Sequence, residues 1–253
     1  VTSPRIVIGM GCFNEAPYLP ETIPAVLSQT MPDFQLFILD NGSTDESWGI
    51  LKRFADTDPR ITLVRSPRNL SCPAATNFGY SLCMDVWRDC RWFLNAGADD
   101  VMDREYLEAI LDASRSNPTV NLIFSPVRFL DHPEKGTWVY PNFDPKRVHQ
   151  TLLVPGWRAF TRELWDANGP EWTGINQGSD WEWVCRATVK GLLKPYQLAR
   201  PYLSVRVREG ERKTQSELGH WPTLHARMCE LMYAQVPPWA QNERRGVRVR
   251  QRR

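Results

Sequence analysis

Apolar positions in the first half of the chain fall into short unbroken runs separated by stretches with helical spacing. Arg5–Gly9, Phe34–Leu39, Ile61–Val64, Trp92–Leu94 and Asn121–Phe124 are the runs. Such continuity suits strands covered on both faces, whereas a half-exposed strand alternates apolar with polar. Between the runs, Leu19, Ile23, Val26 and Leu27 share one helical face, as do Leu107, Ile110 and Leu111. The first helix is predicted to begin near Pro17, to be kinked or shortened by Pro24, and to be over by Pro32. Gly42 permits a turn, and Ser43 with Glu46 has the spacing of a capping box for the next helix. Asn69 to Gly79 leads into a helix whose early residues are small enough for a ligand or another element to approach its backbone closely. Strands alternating with helices over residues 1–125 predict a mostly parallel sheet flanked by helices.

Beyond Pro126 the periodicity weakens and Trp, Pro, His and charged residues become frequent, so this half reads as irregular and ligand-shaping. Gly156-Trp157-Arg158-Ala159-Phe160 precedes a short helix over Arg162–Ala167, and Gly174 to Gly178 reads as a loop. Trp181, Val184, Cys185 and Thr188 then give a further helix, with Ser179 and Glu182 spaced as a capping box and Asp180 at the first helical position. Trp221, Leu224, Met228, Leu231 and Met232 suit an amphipathic helix that closes a site or makes a homodimer. The expected organisation is an α/β half at 1–125, a second half of the same domain at 126–219, and a helix with a basic tail at 220–253.

Composition alters this picture little. No apolar run reaches the roughly 18 residues of a membrane span and no secretory pattern opens the sequence, so a soluble, cytoplasmic protein is expected. The six cysteines include no C-x-x-C pair, which favours reduced thiols. The net charge is +2, yet six arginines lie within the last ten residues, and without them the chain carries −4. A globally basic nucleic-acid binder is therefore not expected. The tail reads as a solvated end or as a peripheral contact with an anionic membrane surface. Eleven tryptophans exceed the needs of a core this size and include candidates for stacking on sugars or bases, although packing accounts for most.

Four acidic residues carry candidate chemistry. Asp99 and Asp100 follow the run Trp92–Leu94 at the expected end of a strand, where parallel sheets bind ligands and where one or two carboxylates suffice for a divalent cation on phosphates. A turn followed by a helix cap is the alternative for that pair. Asp40 ends another strand and suits an imide N–H or a ribose hydroxyl, or else simply accepts loop amides. Asp180 is either a base or an acid that favours a helix dipole.

Taken in order, Phe13-Asn14-Glu15, Leu27-Ser28-Gln29-Thr30, Asp40-Asn41-Gly42-Ser43-Thr44-Asp45, Asn69 to Gly79, Ala98-Asp99-Asp100 and Gly178-Ser179-Asp180 resemble the family-2 glycosyltransferases over about residues 5 to 210. The resemblance implies the glycosyltransferase A fold and inverting transfer from a nucleotide-activated sugar, with Mn2+ or Mg2+, and makes the first half nucleotide-sugar-binding and the second acceptor-binding and catalytic. It implies that Phe13 lies against the nucleobase and Asp40 binds it, that Asn14, Glu15 and Thr76 line the same pocket, and that Asp99 contacts ribose or metal. Asp100 would be the more direct metal ligand and Asp180 the catalytic base, while Gly156 and Trp157, with Trp181, would form the loop under the donor sugar. A uridine diphosphate donor is favoured because Asp40 suits an imide. Two departures matter: Gly97 stands at the first position of the family's Asp-x-Asp, and Arg208 stands where members often carry histidine. Arg208 with Lys213 is expected to bind the diphosphate and weaken metal dependence, and His220 is a less favoured substitute ligand. The competing readings are a sugar nucleotidyltransferase, although Gly9-Met10-Gly11 lacks a basic phosphate loop, and a non-catalytic nucleotide-sugar or glycan-binding relative. The absence of G-x-G-x-x-G after the first strand argues against a dehydrogenase. The acceptor, whether saccharide, natural product or lipid-linked, is not legible.

Overall fold

The computed structural model describes residues 3–207 apart from Gln177. Its main sheet has seven strands, and the first four of the five apolar runs of the first half form β1 (Ile6–Cys12), β2 (Phe34–Asp40), β3 (Ile61–Arg65) and β4 (Trp92–Ala96). A two-residue strand, β5 (Val101–Met102), follows the Asp99-Asp100 turn, and β6 (Leu122–Phe124) returns to the main sheet. The helices of this half are α1 (Leu19–Leu27), α2 (Ser47–Thr57), α3 (Cys72–Val86) and α4 (Tyr106–Ser116).

The second half is more regular than its sequence suggests. β7 (Val127–Phe129), β8 (Thr137–Trp138) and β11 (Leu203–Val205) build a four-stranded sheet with β5 in the order β5-β11-β7-β8. β9 (Ala159–Thr161) and β10 (Pro195–Gln197) complete the main sheet, ordered β10-β6-β9-β4-β1-β2-β3. Only β9 runs antiparallel there, wedged between β4 and β6. The helices α5 (Arg162–Asn168) and α6 (Ser179–Val189) cross this half.

Burial explains the runs. Ile6, Val7, Ile8, Leu36, Ile38, Phe93 and Leu94 are fully buried because helices cover both faces of the sheet. Tyr80 of α3 stands edge-on to Phe160 of β9 at 5.0 Å between ring centres, and Phe160 stacks on Trp165 of α5 at 5.5 Å. That cluster welds the second half to the first. The register Cys12↔Asp40↔Arg65 brings the carboxyl ends of β1, β2 and β3 level, so the loops after them share one edge.

Three local expectations are corrected. The helix α1 starts at Leu19 after a turn and passes through the exposed Pro24 to end at Leu27, with Pro20 in its first turn. The Ser43/Glu46 capping box does not form. Ser43 Oγ instead accepts the N–H of Asn14 at 3.0 Å, and α2 begins four residues later with Asp45 accepting the N–H of Ser47 at 2.9 Å. The Ser179/Glu182 box does not form either, because Gly178 occupies the cap in a left-handed conformation (φ 76°) and Asp180 becomes the second helical residue. No helix among the described residues is long and apolar enough to cross a membrane.

Candidate active site

Residues 40–47 act first as a lacing for residues 14–16. Asn14 adopts φ 57° and its Oδ1 accepts the Thr44 N–H at 2.8 Å. Glu15 N–H donates to Ser47 Oγ at 2.8 Å and Ala16 N–H to Asp45 Oδ2 at 3.1 Å. Every amide of that loop thus finds an acceptor on the neighbouring strand's loop, which fixes Phe13 and Glu15 at the mouth of a cavity. Gly42, at φ 77°, is required here because a Cβ would lie 2.7 Å from the Arg68 backbone carbonyl carbon.

The cavity measures about 470 Å3, within the usual range for small-ligand sites. Its floor is Gly9–Cys12 and the tips of β2 and β4, one wall is α3 with Ala75, Thr76 and Tyr80, and the far end is Asn176 with Gly178, Ser179 and Asp180 at the start of α6. Phe13, Glu15, Thr76 and Asp180 all line this one cavity. Asn14, Asp40, Asp99, Asp100, Gly156, Trp157 and Trp181 do not line it. Arg208, Lys213 and His220, like the tail residues from Trp221 on, lie outside the described residues.

Asp40 is sealed beneath the floor. Its Oδ1 accepts the Ser43 N–H at 3.1 Å and its Oδ2 lies 3.0 Å from Arg65 Nε, with no exposed surface of its own. Asn41 is locked similarly, accepting Leu70 N–H at 2.9 Å and donating to Asn69 Oδ1 at 2.9 Å.

Asp99 and Asp100 occupy the turn between β4 and β5. Asp100 is buried, and its Oδ1 accepts the Arg206 N–H at 3.0 Å. The Arg206 guanidinium, absent from the sequence reading, donates to the Asp99 carbonyl at 3.2 Å and ion-pairs with Asp131 and Glu21, both at 2.8 Å. It also lies over the Tyr18 ring. Gly97 leaves room for this arrangement: a Cβ there would lie 2.3 Å from Asp100 Oδ2 and 3.2 Å from Asp99 Oδ1. The missing third acid thus has a steric cause, since Asp100 fills the space a side chain at 97 would need. Among the described residues no three His, Cys, Asp or Glu side chains converge as a preformed metal cage.

Asp180 sits at the N-terminal turn of α6 with 37% of its side chain exposed. Gly156 admits it, since a Cβ at 156 would come within 2.9 Å of Asp180 Oδ2. Asn95 Nδ2 donates to the Gly156 carbonyl at 3.0 Å and fixes that loop to β4. Trp157 and Trp181 pack against the core, and Trp181 donates to the Val148 carbonyl. Behind Asp180 lies the buried Arg158, whose NH1 is 4.0 Å from Asp180 Oδ2 and whose NH2 is 3.8 Å from Glu171 Oε1. Glu171 also lines the cavity, and burial, followed by the charge of Asp180, pushes its carboxyl up to about 7. Tyr140 links the two acidic centres: burial raises its hydroxyl, and Asp180 and Asp100 both add to the rise. Neither Glu171 nor Tyr140 stands in a motif, so only the fold brings them to the site.

The glycosyl transferase family 2 model matches residues 7–166. Chondroitin synthase of Escherichia coli is 21% identical over 194 residues, 76% of this chain and 27% of the relative. An uncharacterized glycosyltransferase of Methanocaldococcus jannaschii is 28% identical over 146 residues, 57% of this chain and 48% of the relative. The chain thus spans less than half the length of these relatives. Staphylococcus aureus TarS 1–349, in complex with UDP-GlcNAc, superposes with a TM-score of 0.69 at 13% identity, over 97% of this chain and 76% of TarS 1–349. The mannosyltransferase PcManGT of Pyrobaculum calidifontis, in complex with GDP-Man and Mn2+, gives 0.58 at 17% identity, over 98% and 77%. These likenesses establish the fold, a glycosyltransferase-type α/β architecture with a large central sheet flanked by helices.

Proposed function

We infer the reaction from one premise: the chain belongs to glycosyl transferase family 2. It transfers a sugar from a nucleoside diphosphate donor to an acceptor hydroxyl, with inversion, and Asp180 takes the acceptor's proton. The observation that carries this reading is the position of Asp180. It is a half-exposed carboxylate at the far end of a strand-end cavity, with its oxygen against Gly156 and only a distant cation at 4.0 Å. A base for a single displacement must be within reach of the acceptor hydroxyl, and a carboxylate opening on the cavity meets that need.

The nucleoside half of the donor is assigned to the end bounded by Phe13, Glu15 and Thr76. UDP is favoured, supported by the UDP-GlcNAc complex of TarS and by Asp40. Contact between Asp40 and a base requires Arg65, 43% exposed at its side chain, to swing aside. The family and the Mn2+ in the PcManGT complex support a divalent cation. Asp100 and Asp99 fit it, because hard cations that bridge phosphates need only one or two protein carboxylates and the space over Gly97 holds Asp100 in place. Bound there, the cation would neutralise charge growing on the leaving diphosphate. Arg208 and Lys213 are assigned to the same diphosphate, and the acceptor to the face formed by Gly156, Trp157 and Trp181.

Thermal shift against a panel of nucleotide-sugars, with and without Mn2+, identifies the donor. In Asp180→Asn, donor binding is expected to persist while transfer falls by about 10²–10⁴-fold. Full transfer by this variant, or a product that retains the donor's anomeric configuration by NMR, overturns the mechanism.

A further inference from the structure

Asp180 has a carboxylic neighbour that the transfer mechanism leaves unused. Glu171 sits in the loop after α5, 8% exposed, and opens on the same cavity. Its main chain is clamped by one side chain of α3: Glu171 N–H donates to Asn77 Oδ1 and Asn77 Nδ2 donates to the Glu171 carbonyl, both at 2.8 Å. Its Oε2 accepts the hydroxyl of Ser179, the residue before Asp180, at 2.8 Å. This is a rigid, built position rather than a surface acid that happens to face inward.

Charge balance around it is uneven. On α6, Glu182 pairs with Arg186 at 3.2 Å and adds a smaller push on Glu171. Asp180 and Glu171 both lie against Arg158, at 4.0 and 3.8 Å, and among the described residues neither has another cationic partner. From α3 the nearest titratable group is Tyr80, whose hydroxyl burial keeps firmly protonated. Two carboxylates around one buried arginine cannot both ionise cheaply, and the more buried of the two keeps its proton. Burial places that proton's loss near neutrality, at about 7.

We propose that Glu171 is a further residue of the sugar-transfer site, a carboxylic acid that must stay protonated for the donor to bind beside Asp180. The proposal rests on the transfer reading above. Once Glu171 ionises, a second charge faces Asp180 across the arginine between them, and a nucleotide-sugar brings two more negative charges into the cavity. Donor affinity therefore falls as the pH rises through 7. The sign is fixed by linkage: if the complex excludes ionised Glu171, affinity declines by at most about tenfold per pH unit above the titration point.

The test is calorimetric titration of wild type, Glu171→Gln and Ser179→Ala with UDP-GlcNAc and GDP-Man between pH 6 and 8.5. The phosphates of these probes are diesters and do not titrate in that range. Wild-type affinity is expected to drop by about an order of magnitude from pH 7 to 8.5. In Glu171→Gln that slope vanishes, because the amide holds the Ser179 hydroxyl but never ionises. In Ser179→Ala the fall moves to higher pH, since the lost hydroxyl had favoured the ionised form. The two variants misfold independently of each other, so either one suffices. A wild-type affinity without slope, or the same slope in Glu171→Gln, overturns the proposal while leaving the transfer reading intact. Failure of both nucleotide-sugars to bind wild type at every pH overturns the two together.

Discussion

Replacing Gly97 separates two accounts of the acid turn. If the missing side chain at 97 were only an evolutionary loss, Gly97→Asp would restore a third ligand and tighten metal binding. The geometry says otherwise. Even the Cβ of alanine would lie 2.3 Å from Asp100 Oδ2 and 3.1 Å from its Cγ, where ordinary contact is above 3.4 Å, so the carboxylate has to retreat by about an ångström. Asp100 is 4% exposed and its other oxygen holds the Arg206 N–H at 3.0 Å. Retreat breaks a hydrogen bond to a charged group, worth about 1.5–3 kcal/mol, and the alternative is a backbone shift of similar overpacking cost. For a chain of this size about 2 kcal/mol lowers the melting temperature by roughly 4–8 °C. Scanning fluorimetry of Gly97→Ala and Gly97→Asp, with and without Mn2+ plus donor, is the assay. Both variants are expected to melt earlier and to lose Mn2+-dependent stabilisation, with aspartate worse because it adds a third like charge. The reasoning is refuted by a melting temperature within about 1 °C of wild type together with unchanged Mn2+ response.

The other expectations concern single contacts. Gly156→Ala pushes a Cβ to 2.9 Å from Asp180 Oδ2, and because Asp180 is partly exposed and can swing, kcat should fall at least tenfold with donor affinity and melting temperature nearly unchanged. Arg65→Ala leaves the fully buried Asp40 with only the Ser43 N–H, which should cost about 1–3 kcal/mol in chemical denaturation, part of it recovered by adding Asp40→Asn. Glu171 is raised from 4.5 to about 7 in the folded state, so the native protein binds the extra proton and its stability declines as pH rises across that window, by up to about 3 kcal/mol. Denaturation between pH 5 and 7.5 should show a shallower decline in Glu171→Gln, and equal slopes would contradict the assignment.

The parts of the fold that were legible in sequence are those whose physics is local. Continuous apolar runs located β1 to β4 and β6 because helices bury both faces of those strands. The strands β7 to β11 are two or three residues long, too short for any period, and they form through pairing, β9, β10 and β11 with strands of the first half and β7 and β8 with each other and β11. In both expected capping boxes the serine hydroxyl is engaged elsewhere. Ser43 and Ser179 have the right spacing, but Asn14 N–H and the Glu171 carboxylate, 29 and 8 residues away, engage those hydroxyls instead. In the site, Phe13, Glu15, Thr76 and Asp180 stand in short motifs and line one cavity, while Glu171 stayed hidden because Asn77, Arg158 and Ser179 reach it from three separate segments. Arg206 was overlooked for a similar reason, since its partners Glu21, Asp99 and Asp131 are scattered along the chain.

The two acidic centres are built on opposite mechanical principles, and the difference matches what each is proposed to do. Asp100 is buried, bonded to a main-chain amide, and backed by an arginine that is itself tied to three elements, so its oxygens have one position. A carboxylate meant to share a hard cation with a diphosphate gains from such fixity, because small displacements at a charged centre are expensive. Asp180 has open space toward the cavity, a glycine behind it and a cation at arm's length, so its carboxylate can follow an acceptor hydroxyl as the new bond forms. Tyr140, raised by burial and then by both acids, stands where the two fields overlap. Burial and the charges of both acids keep its phenol neutral, so it adds no charge near either centre.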